Sequence, residues 1–415
     1  MQLHTEAFLT IILVIITGEY LLTTLIDLLN LGKDSTTKVP DSVKLFYNQE
    51  KYKKALAYQR ENTYFGLING FFSLILILLV VIFGLLGWLD EWVSHYFYSL
   101  VGQTLAFFGI IFLINDLLNT PFQLYATFKI EDRYGFNKAT LKTFFLDKLK
   151  GYVLTALLGG ILIALLIFLI ISLGQSFWWI FWIVISVFMI GMNFFYTSWI
   201  VPLFNKLTPL DEGELRTAIM EYGKSVEFPI NNIFVIDGSK RSTKANAYFS
   251  GFGSRKKIVL FDTLIEKHTT EELVAILAHE VGHYKLKHTY SGMFSGILQI
   301  GVMLFIMSFM IFQPTLSEAL GTDRLSFGVN FIAFGIIYTP ISLLTGLLSN
   351  FISRKHEFEA DNFAAKTYKG EALATALKKL SVDNLSNLRP HSLYVFFHYS
   401  HPPLLKRLAA IERTA

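Results

Sequence analysis

The chain has 415 residues, of which 53% are hydrophobic and 16% are charged, and its mean hydropathy is +0.47. A soluble domain has about 25% charged residues, so this composition excludes an ordinary soluble protein. The formal net charge of +4 is spread over several segments and does not indicate nucleic-acid binding, and the absence of cysteine excludes disulfides and cysteine-bound metals.

Seven apolar stretches are long enough to cross a bilayer, which takes about 20 residues. Three acidic residues lie in these stretches, namely Glu19, Asp27 and Asp116. Such residues usually face an interior or water; the alternative is that they lie near the membrane interface or pair with a neighbouring helix, and the sequence leaves both possibilities open. The predicted spans are Phe8–Leu29, Tyr64–Trp88, Phe97–Asn119, Gly151–Leu173, Phe177–Ile200, Tyr290–Gln313 and Gly328–Phe351.

The basic residues predict the orientation, because cytoplasmic loops are enriched in Lys and Arg. Of the 36 basic residues, 35 fall in the alternate segments 31–60, 120–150, 201–289 and 352–415. Arg324 alone lies in a loop of the opposite set. We therefore expect seven spans with the N-terminus outside and the C-terminus in the cytoplasm, and a lipid bilayer as partner.

Two polar segments, 201–289 and 352–415, lie on the predicted inner side and flank the paired spans of 290–351. The chain is therefore predicted to have four parts, namely the first five spans in 1–200, the polar segment 201–289, the paired spans in 290–351 and the polar segment 352–415. The patterns predict helices at Asp211–Ser225 and from Thr269 to about His288, the latter starting with the capping-box spacing of Thr269 and Glu272. They also predict strands at Asn232–Asp237, Ala247–Phe252 and Lys257–Phe261, the last two joined by a turn at Gly253-Ser254.

The second of these helices carries His279-Glu280-Val281-Gly282-His283. Residues four apart lie on one face of a helix, so the two imidazoles can bind one metal ion, and neutral imidazoles suit zinc. The Glu280 carboxylate, beside the first ligand, can act as general base on a zinc-activated water. We predict one Zn²⁺ per chain and peptide hydrolysis.

A catalytic zinc usually has three protein ligands, and the third is predicted in the segment that follows the last span. Glu357 and Asp361 are four residues apart and share a helical face. We assign Glu357 as the ligand and Asp361 as the acceptor of a ligand histidine's second ring hydrogen. His356 is the alternative third ligand, and otherwise His356 and Glu359 are interpreted as a solvated helix face.

Six separated motifs resemble those of the type I CAAX prenyl endopeptidases, which are seven-span zinc proteases of the gluzincin kind. The resemblance covers most of the chain. The motifs are EDRYGFNKAT from Glu131, VPLFNKLTPL from Val201, KANAYFSG from Lys244, AHEVGHYKLKH from Ala278, EFEAD from Glu357 and HYSHPPLLKR from His398.

The resemblance implies roles for individual residues. It assigns zinc binding to His279, His283 and Glu357, and the base to Glu280. It implies that His401 donates to the oxyanion, that Asn246, Ala247 and Tyr248 form a peptide-binding edge strand, and that Arg407 also binds substrate. It further implies a mainly α fold in which seven transmembrane helices enclose an intramembrane chamber capped by a cytoplasmic α+β protease domain.

The expected substrate is a peptide or protein, and the resemblance implies one that is prenylated at its C-terminus. Because the chain ends in Glu412-Arg413-Thr414-Ala415 without a basic retrieval signal, we expect a bacterial inner membrane, or the endoplasmic reticulum if the chain is eukaryotic. Two alternatives remain, namely a membrane quality-control protease without prenylated substrates and a zinc-stabilised scaffold or chaperone without turnover. The sequence does not predict the oligomeric state.

Overall fold

The structure is a computed structural model that describes residues 2–33, 38–228, 230, 232–251 and 256–414. It is mainly helical, with one small sheet. The part before the sheet is built from α1 (Gln2–Lys33), α2 (Gln49–Ile82), α3 (Leu85–Tyr96), α4 (Leu100–Tyr125), α5 (Leu141–Leu154), α6 (Gly160–Leu173), α7 (Phe177–Phe195) and α8 (Val201–Phe204).

The central, predominantly polar part contains the sheet and three helices, β1 (Leu207–Pro209), α9 (Glu214–Ser225), β2 (Ile233–Ile236), β3 (Ala247–Ser250), β4 (Lys257–Phe261), α10 (Asp262–Lys267) and α11 (Thr270–Lys285). The remainder is helical and consists of α12 (His288–Met310), α13 (Pro314–Ala319), α14 (Phe327–Thr367), α15 (Gly370–Asp383), α16 (Ser392–His398) and α17 (Leu404–Glu412).

Six helices of the described residues are long and apolar enough to cross a membrane, one fewer than the predicted seven. The difference arises because the fourth and fifth predicted spans lie in one helical stretch of 64 residues, Leu141–Phe204. At about 1.5 Å per residue this stretch is about 96 Å long, enough to cross a hydrocarbon core of about 30 Å twice. It turns at Gly174, whose φ of 54° and ψ of −138° end α6, and α6 and α7 then pack against each other through Ile167, Ile170, Phe177 and Phe181.

The apolar windows of these helices are poorly covered by the rest of the protein, since only 6% to 22% of each window is buried. Lipid covers such faces on the outside of a membrane protein. Apolar helix faces could also line the intramembrane chamber that the resemblance implies. This chamber stays a prediction.

Asp116 on α4 pairs with a neighbouring helix. Its carboxylate lies 2.8 Å from Lys148 Nζ and accepts a hydrogen bond from the Tyr152 hydroxyl, both on α5. For Asp116 the structure therefore favours helix pairing, which was one of the two possibilities.

The one basic residue outside the inner segments, Arg324, also has a partner. Its Nη2 lies 2.6 Å from Oδ2 of the buried Asp90 on α3, and the Ser326 hydroxyl donates to Asp90 Oδ1 at 2.6 Å. Gly87 makes this packing possible, because a Cβ there would lie 2.0 Å from the carbonyl oxygen of Gly321. The ion pair between Arg324 and Asp90 joins α3 to the loop before α14.

The sheet has the order β1-β2-β4-β3, with β2 and β4 parallel and the other pairs antiparallel. Three strands were predicted within a few residues of their observed bounds, although Phe252 and the turn Gly253-Ser254 lie outside the described residues. Strand β1 was missed because it has only three residues, one of them Pro209. Strand β3 pairs with β4 on one side and stands at the edge of the sheet.

Helix α11 begins with the predicted capping box, since Thr269 and Glu272 exchange both side-chain-to-backbone hydrogen bonds. The helix packs against α14, which runs without interruption from the last span into the polar C-terminal part. Close contact depends on Gly282, where a Cβ would lie only 3.2 Å from the Ala360 backbone. The fold thus places the histidine motif beside Glu357.

Candidate metal centre

The two motif histidines face the same side of α11. Their Nε2 atoms are 3.1 Å apart, and their rings are nearly perpendicular, at 81°. His279 is buried and His283 is partly buried.

Glu357 of α14 lies against both histidines. Its Oε1 is 3.2 Å from His283 Nε2, and its Oε2 is 3.5 Å from His279 Nε2. One ligand atom from each of the three residues falls within 4.8 Å of the others. Glu357 Oε2 is buried and has no hydrogen-bond partner among the described residues, although Arg407 Nη1 lies 3.3 Å away as an ion-pair partner, so this oxygen can still accept a metal ion. Two imidazoles and a carboxylate are the donor set of a catalytic zinc site, so these residues fit the expected metal.

His279, His283 and Glu357 are called the metal group below. Asp361 Oδ1 lies 2.9 Å from Nδ1 of the first of these residues, His279. A carboxylate in this position holds the ligand histidine in the tautomer that leaves Nε2 free for the metal. Asp361 also accepts two hydrogen bonds from Arg407, at 2.8 and 2.6 Å. Burial would lower the pKa of Arg407, but the Asp361 and Glu357 carboxylates raise it above its ordinary value.

Glu280 is partly buried beside the metal-binding residues. It lines a cavity of about 390 Å³, the metal-site cavity, together with His279, His283 and Glu357. Burial raises the pKa of Glu280, against the attraction of the two histidines, and the Glu357 carboxylate raises it further. A carboxylate with a raised pKa is better suited to accept and return a proton near neutral pH.

His401 lies at the mouth of the metal-site cavity. Its side chain is 64% exposed, and its Nε2 is 3.3 Å from Glu357 Oε1. The Ser400 hydroxyl is 3.0 Å from His401 Nδ1. The imidazole is thus close to the metal group and open to a ligand in the cavity.

The edge strand β3 forms one wall of the same cavity through Asn246 and Ala247. The Phe261 N–H donates to the Asn246 carbonyl at 3.1 Å, which marks these two residues as a hydrogen-bonded pair of the β3–β4 ladder. Because such pairs alternate along antiparallel strands, the backbone groups of Ala247 point away from β4. The Ala247 N–H donates instead to the Asn246 side chain at 2.9 Å.

Tyr248 lines a second space, the membrane-side cavity, of about 610 Å³. This cavity also contacts Glu280 and His283 and extends to Gln299 on α12 and Ser349 on α14. Glu280 therefore lies between the two cavities, and the second one leads from the metal group to two membrane-crossing helices.

The structure corrects the interpretation of His356 and Glu359 as a solvated helix face. Glu359 Oε2 is 3.0 Å from His288 Nε2, and the His356 ring stacks on the His288 ring at 3.9 Å. His288 was not singled out from the sequence, although a third histidine five residues after the motif was a signal. His356 joins this second group, and Glu357 lies with the motif histidines.

Two family models match the chain in sequence order. The model described as CAAX prenyl protease N-terminal, five membrane helices, matches residues 29–206. The model described as peptidase family M48 matches residues 209–415. Together they cover both polar segments that build the metal centre and the membrane helices from α2 onwards, but only the C-terminal end of α1.

Individual proteins are similar over nearly the whole length. The chain is 35% identical to a CAAX prenyl protease 1 homolog of Arabidopsis thaliana over 408 residues, covering 95% of each chain. It is 33% identical to the CAAX prenyl protease 1 homolog of Homo sapiens, covering 91% of this chain and 89% of the human one. The crystal structure of S. mikatae Ste24p superposes with a TM-score of 0.91 at 31% identity, covering 97% of this chain and 98% of that one.

Proposed function

The chain belongs to the CAAX prenyl proteases of peptidase family M48, and from this premise we propose that it is a zinc-dependent endopeptidase that cleaves the C-terminal tripeptide of prenylated CAAX proteins. That it is a multi-pass membrane protease follows from the family and from its apolar helices. One observation supports the proposal of zinc-dependent peptide cleavage most strongly. His279, His283 and Glu357 offer ligand atoms within 4.8 Å of one another, in a cavity walled by Glu280 and an open sheet edge.

His279, His283 and Glu357 would hold the zinc ion, which when bound supplies Lewis-acid activation of water and of a peptide carbonyl. Glu280 takes the proton of the attacking water on its carboxylate and returns it to the leaving amine. The raised pKa of Glu280 helps the second half of this cycle, because the protonated acid persists long enough to donate. Asp361 keeps His279 in the tautomer that ligates.

Substrate orientation comes from β3. An extended peptide can add to a free sheet edge through backbone hydrogen bonds, and the Ala247 backbone groups face that edge. In the structure the Asn246 side chain accepts the hydrogen bond from the Ala247 N–H. This side chain would have to move when a substrate carbonyl accepts that hydrogen bond instead. His401, exposed beside Glu357, is in position to donate to the oxyanion that forms at the cleaved carbonyl.

The membrane-side cavity supports a lipid-modified substrate. It connects Glu280 and His283 with Gln299 and Ser349 on the membrane helices α12 and α14. A peptide bound along β3 can therefore place a hydrophobic group towards the spans while its scissile bond lies at the metal group.

The basic-residue count supports a cytoplasmic location of the site, because the two polar segments that build it carry 22 of the 36 Lys and Arg residues. The similarity to CAAX prenyl proteases along the whole chain favours prenyl processing over the quality-control protease and over the scaffold without turnover.

Two peptides that differ only in the lipid test this proposal. Purified protein in detergent should cleave a farnesylated CAAX peptide after the modified cysteine, and mass spectrometry should find the released tripeptide. Equal cleavage of the unmodified peptide would favour the quality-control alternative, and no cleavage of either peptide by zinc-loaded protein would contradict the proposed activity.

A further inference from the structure

A chain of three side chains leads from the zinc-binding residue His283 through His288 to Glu359. His283 Nδ1 lies 3.1 Å from His288 Nδ1, and His288 Nε2 lies 3.0 Å from Glu359 Oε2. His288 is buried, with 6% of its side chain exposed, whereas Glu359 is 40% exposed. The chain therefore starts at a zinc ligand and ends at a carboxylate near the surface.

Only one arrangement of protons satisfies every contact in this chain once His283 binds a metal through Nε2. His283 Nδ1 must then carry the hydrogen, because a neutral imidazole has one donor and one acceptor nitrogen. That hydrogen is donated to His288 Nδ1, so His288 carries its own hydrogen on Nε2. This second hydrogen is donated to the Glu359 carboxylate, and each donor has an acceptor.

The surrounding structure fixes the His288 ring in the required plane. Lys287, just before it, adopts a left-handed backbone conformation with φ of 62°, which costs about 1 kcal/mol or more for a residue that is not glycine. This turn begins α12 and brings His288 back against His283. On its other face, the His356 ring is stacked at 3.9 Å and only 7° from parallel.

We propose that His288 and Glu359 are positioning residues that orient the zinc ligand His283, with His356 holding the His288 ring by stacking. His283 would then have an outer partner as His279 has in Asp361, the difference being that an imidazole stands between ligand and carboxylate. The inference rests on the proposed zinc site, and it adds residues that are not part of the ligand set.

The same three side chains could instead hold a second metal ion, since one ligand atom each of His288, His356 and Glu359 lies within 4.8 Å of the others. The positions of the ring hydrogens on His283 and His288 disfavour a second metal ion. With His288 Nδ1 accepting from His283, a metal on His288 Nε2 would require the imidazolate anion. The stacked rings would also have to splay apart to direct both nitrogens at one ion.

The test is zinc affinity, measured by competition with a chromogenic chelator on purified full-length protein in detergent. His288→Phe keeps a ring for stacking but removes the acceptor, and loss of such an outer partner typically weakens metal binding about 10- to 100-fold. His288→Gln retains an acceptor for His283 and should lose less. Glu359→Leu should weaken zinc binding more than Glu359→Gln, which retains an oxygen.

A control variant separates positioning from general damage, and a second variant reports on the alternative metal site. His356→Phe keeps an aromatic ring for the stack and removes both ring nitrogens, so it tests whether His356 binds a metal ion. His95→Phe, an exposed histidine at the end of α3, should change nothing. The melting temperatures of the metal-free variants should agree with that of the wild type, because the effect acts through the bound ion.

Unchanged zinc affinity in both His288→Phe and Glu359→Leu would overturn the inference while leaving the zinc site intact. A wild-type stoichiometry of two zinc ions, reduced to one by His356→Phe, would also overturn it and identify a second metal site. A wild type that binds no zinc would instead refute the proposed function itself.

Discussion

Arg407 donates two hydrogen bonds to Asp361, from Nε at 2.8 Å and from Nη2 at 2.6 Å. Its guanidinium thereby stabilises the carboxylate that contacts the ligand His279. The remaining Nη1 lies 3.3 Å from Glu357 Oε2. Arg407 is only 9% exposed, although it contributes to the wall of the metal-site cavity. The predicted role of Arg407 in substrate binding can therefore be separated experimentally from a role in holding Asp361.

Arg407→Ala should destabilise the protein and weaken zinc binding. Removing one partner of a buried ion pair costs about 3–5 kcal/mol, because the other charge stays buried and unpaired. The melting temperature in detergent and the zinc content should both fall. Lys406→Ala, next to it but exposed, should leave both unchanged. If Arg407→Ala keeps its stability and zinc and only raises KM, Arg407 binds substrate and does not support the site.

Proline substitutions along β3 should separate substrate binding from sheet stability. Ala247→Pro removes an N–H that points away from β4, and proline is tolerated on edge strands. We expect a reduced kcat/KM with a melting temperature near that of the wild type. Tyr248→Pro removes a group that faces β4 in the β3–β4 ladder and should lower the melting temperature. Normal peptide cleavage by Ala247→Pro would mean that substrate does not add to this edge.

The pH dependence of kcat/KM should reflect the environment of Glu280. The base works as the carboxylate, so activity is lost as the pH falls through its pKa. Burial raises that pKa above the ordinary value of 4.5, so the acidic limb should lie above pH 4.5. A limb at or below that value, measured on protein whose zinc content is constant across the range, would argue against Glu280 as the base.

Local sequence patterns predicted the helices and strands of the protease part well. The capping box at Thr269 and Glu272 begins α11 as expected, and strands β2 and β4 fall inside their predicted ranges. Hydrophobic periodicity and capping act over a few residues, so the sequence contains the information. The number of spans differs, six helical stretches against seven predicted spans, because the turn at Gly174 lies inside one helical stretch of 64 residues that is long enough to cross twice.

Contacts between distant segments could be inferred only in part. The spacing of Glu357 and Asp361 predicted a shared helical face, but which partner each would meet depends on how α14 crosses α11 at Gly282. The meeting of His288 with Glu359 depends in addition on the left-handed turn at Lys287. Neither hydropathy nor motif spacing indicates such a turn, and so the second histidine group was missed.

Cleavage of a farnesylated CAAX peptide by Glu280→Gln is the most direct test of the proposed zinc-dependent hydrolysis. The substitution keeps the size of the side chain and removes the base, so turnover should fall by about 10²- to 10⁴-fold while one zinc ion per chain remains bound. Glu271→Gln, on the exposed first turn of the same helix, should cleave at the wild-type rate. Wild-type cleavage by zinc-loaded Glu280→Gln would contradict the proposed chemistry.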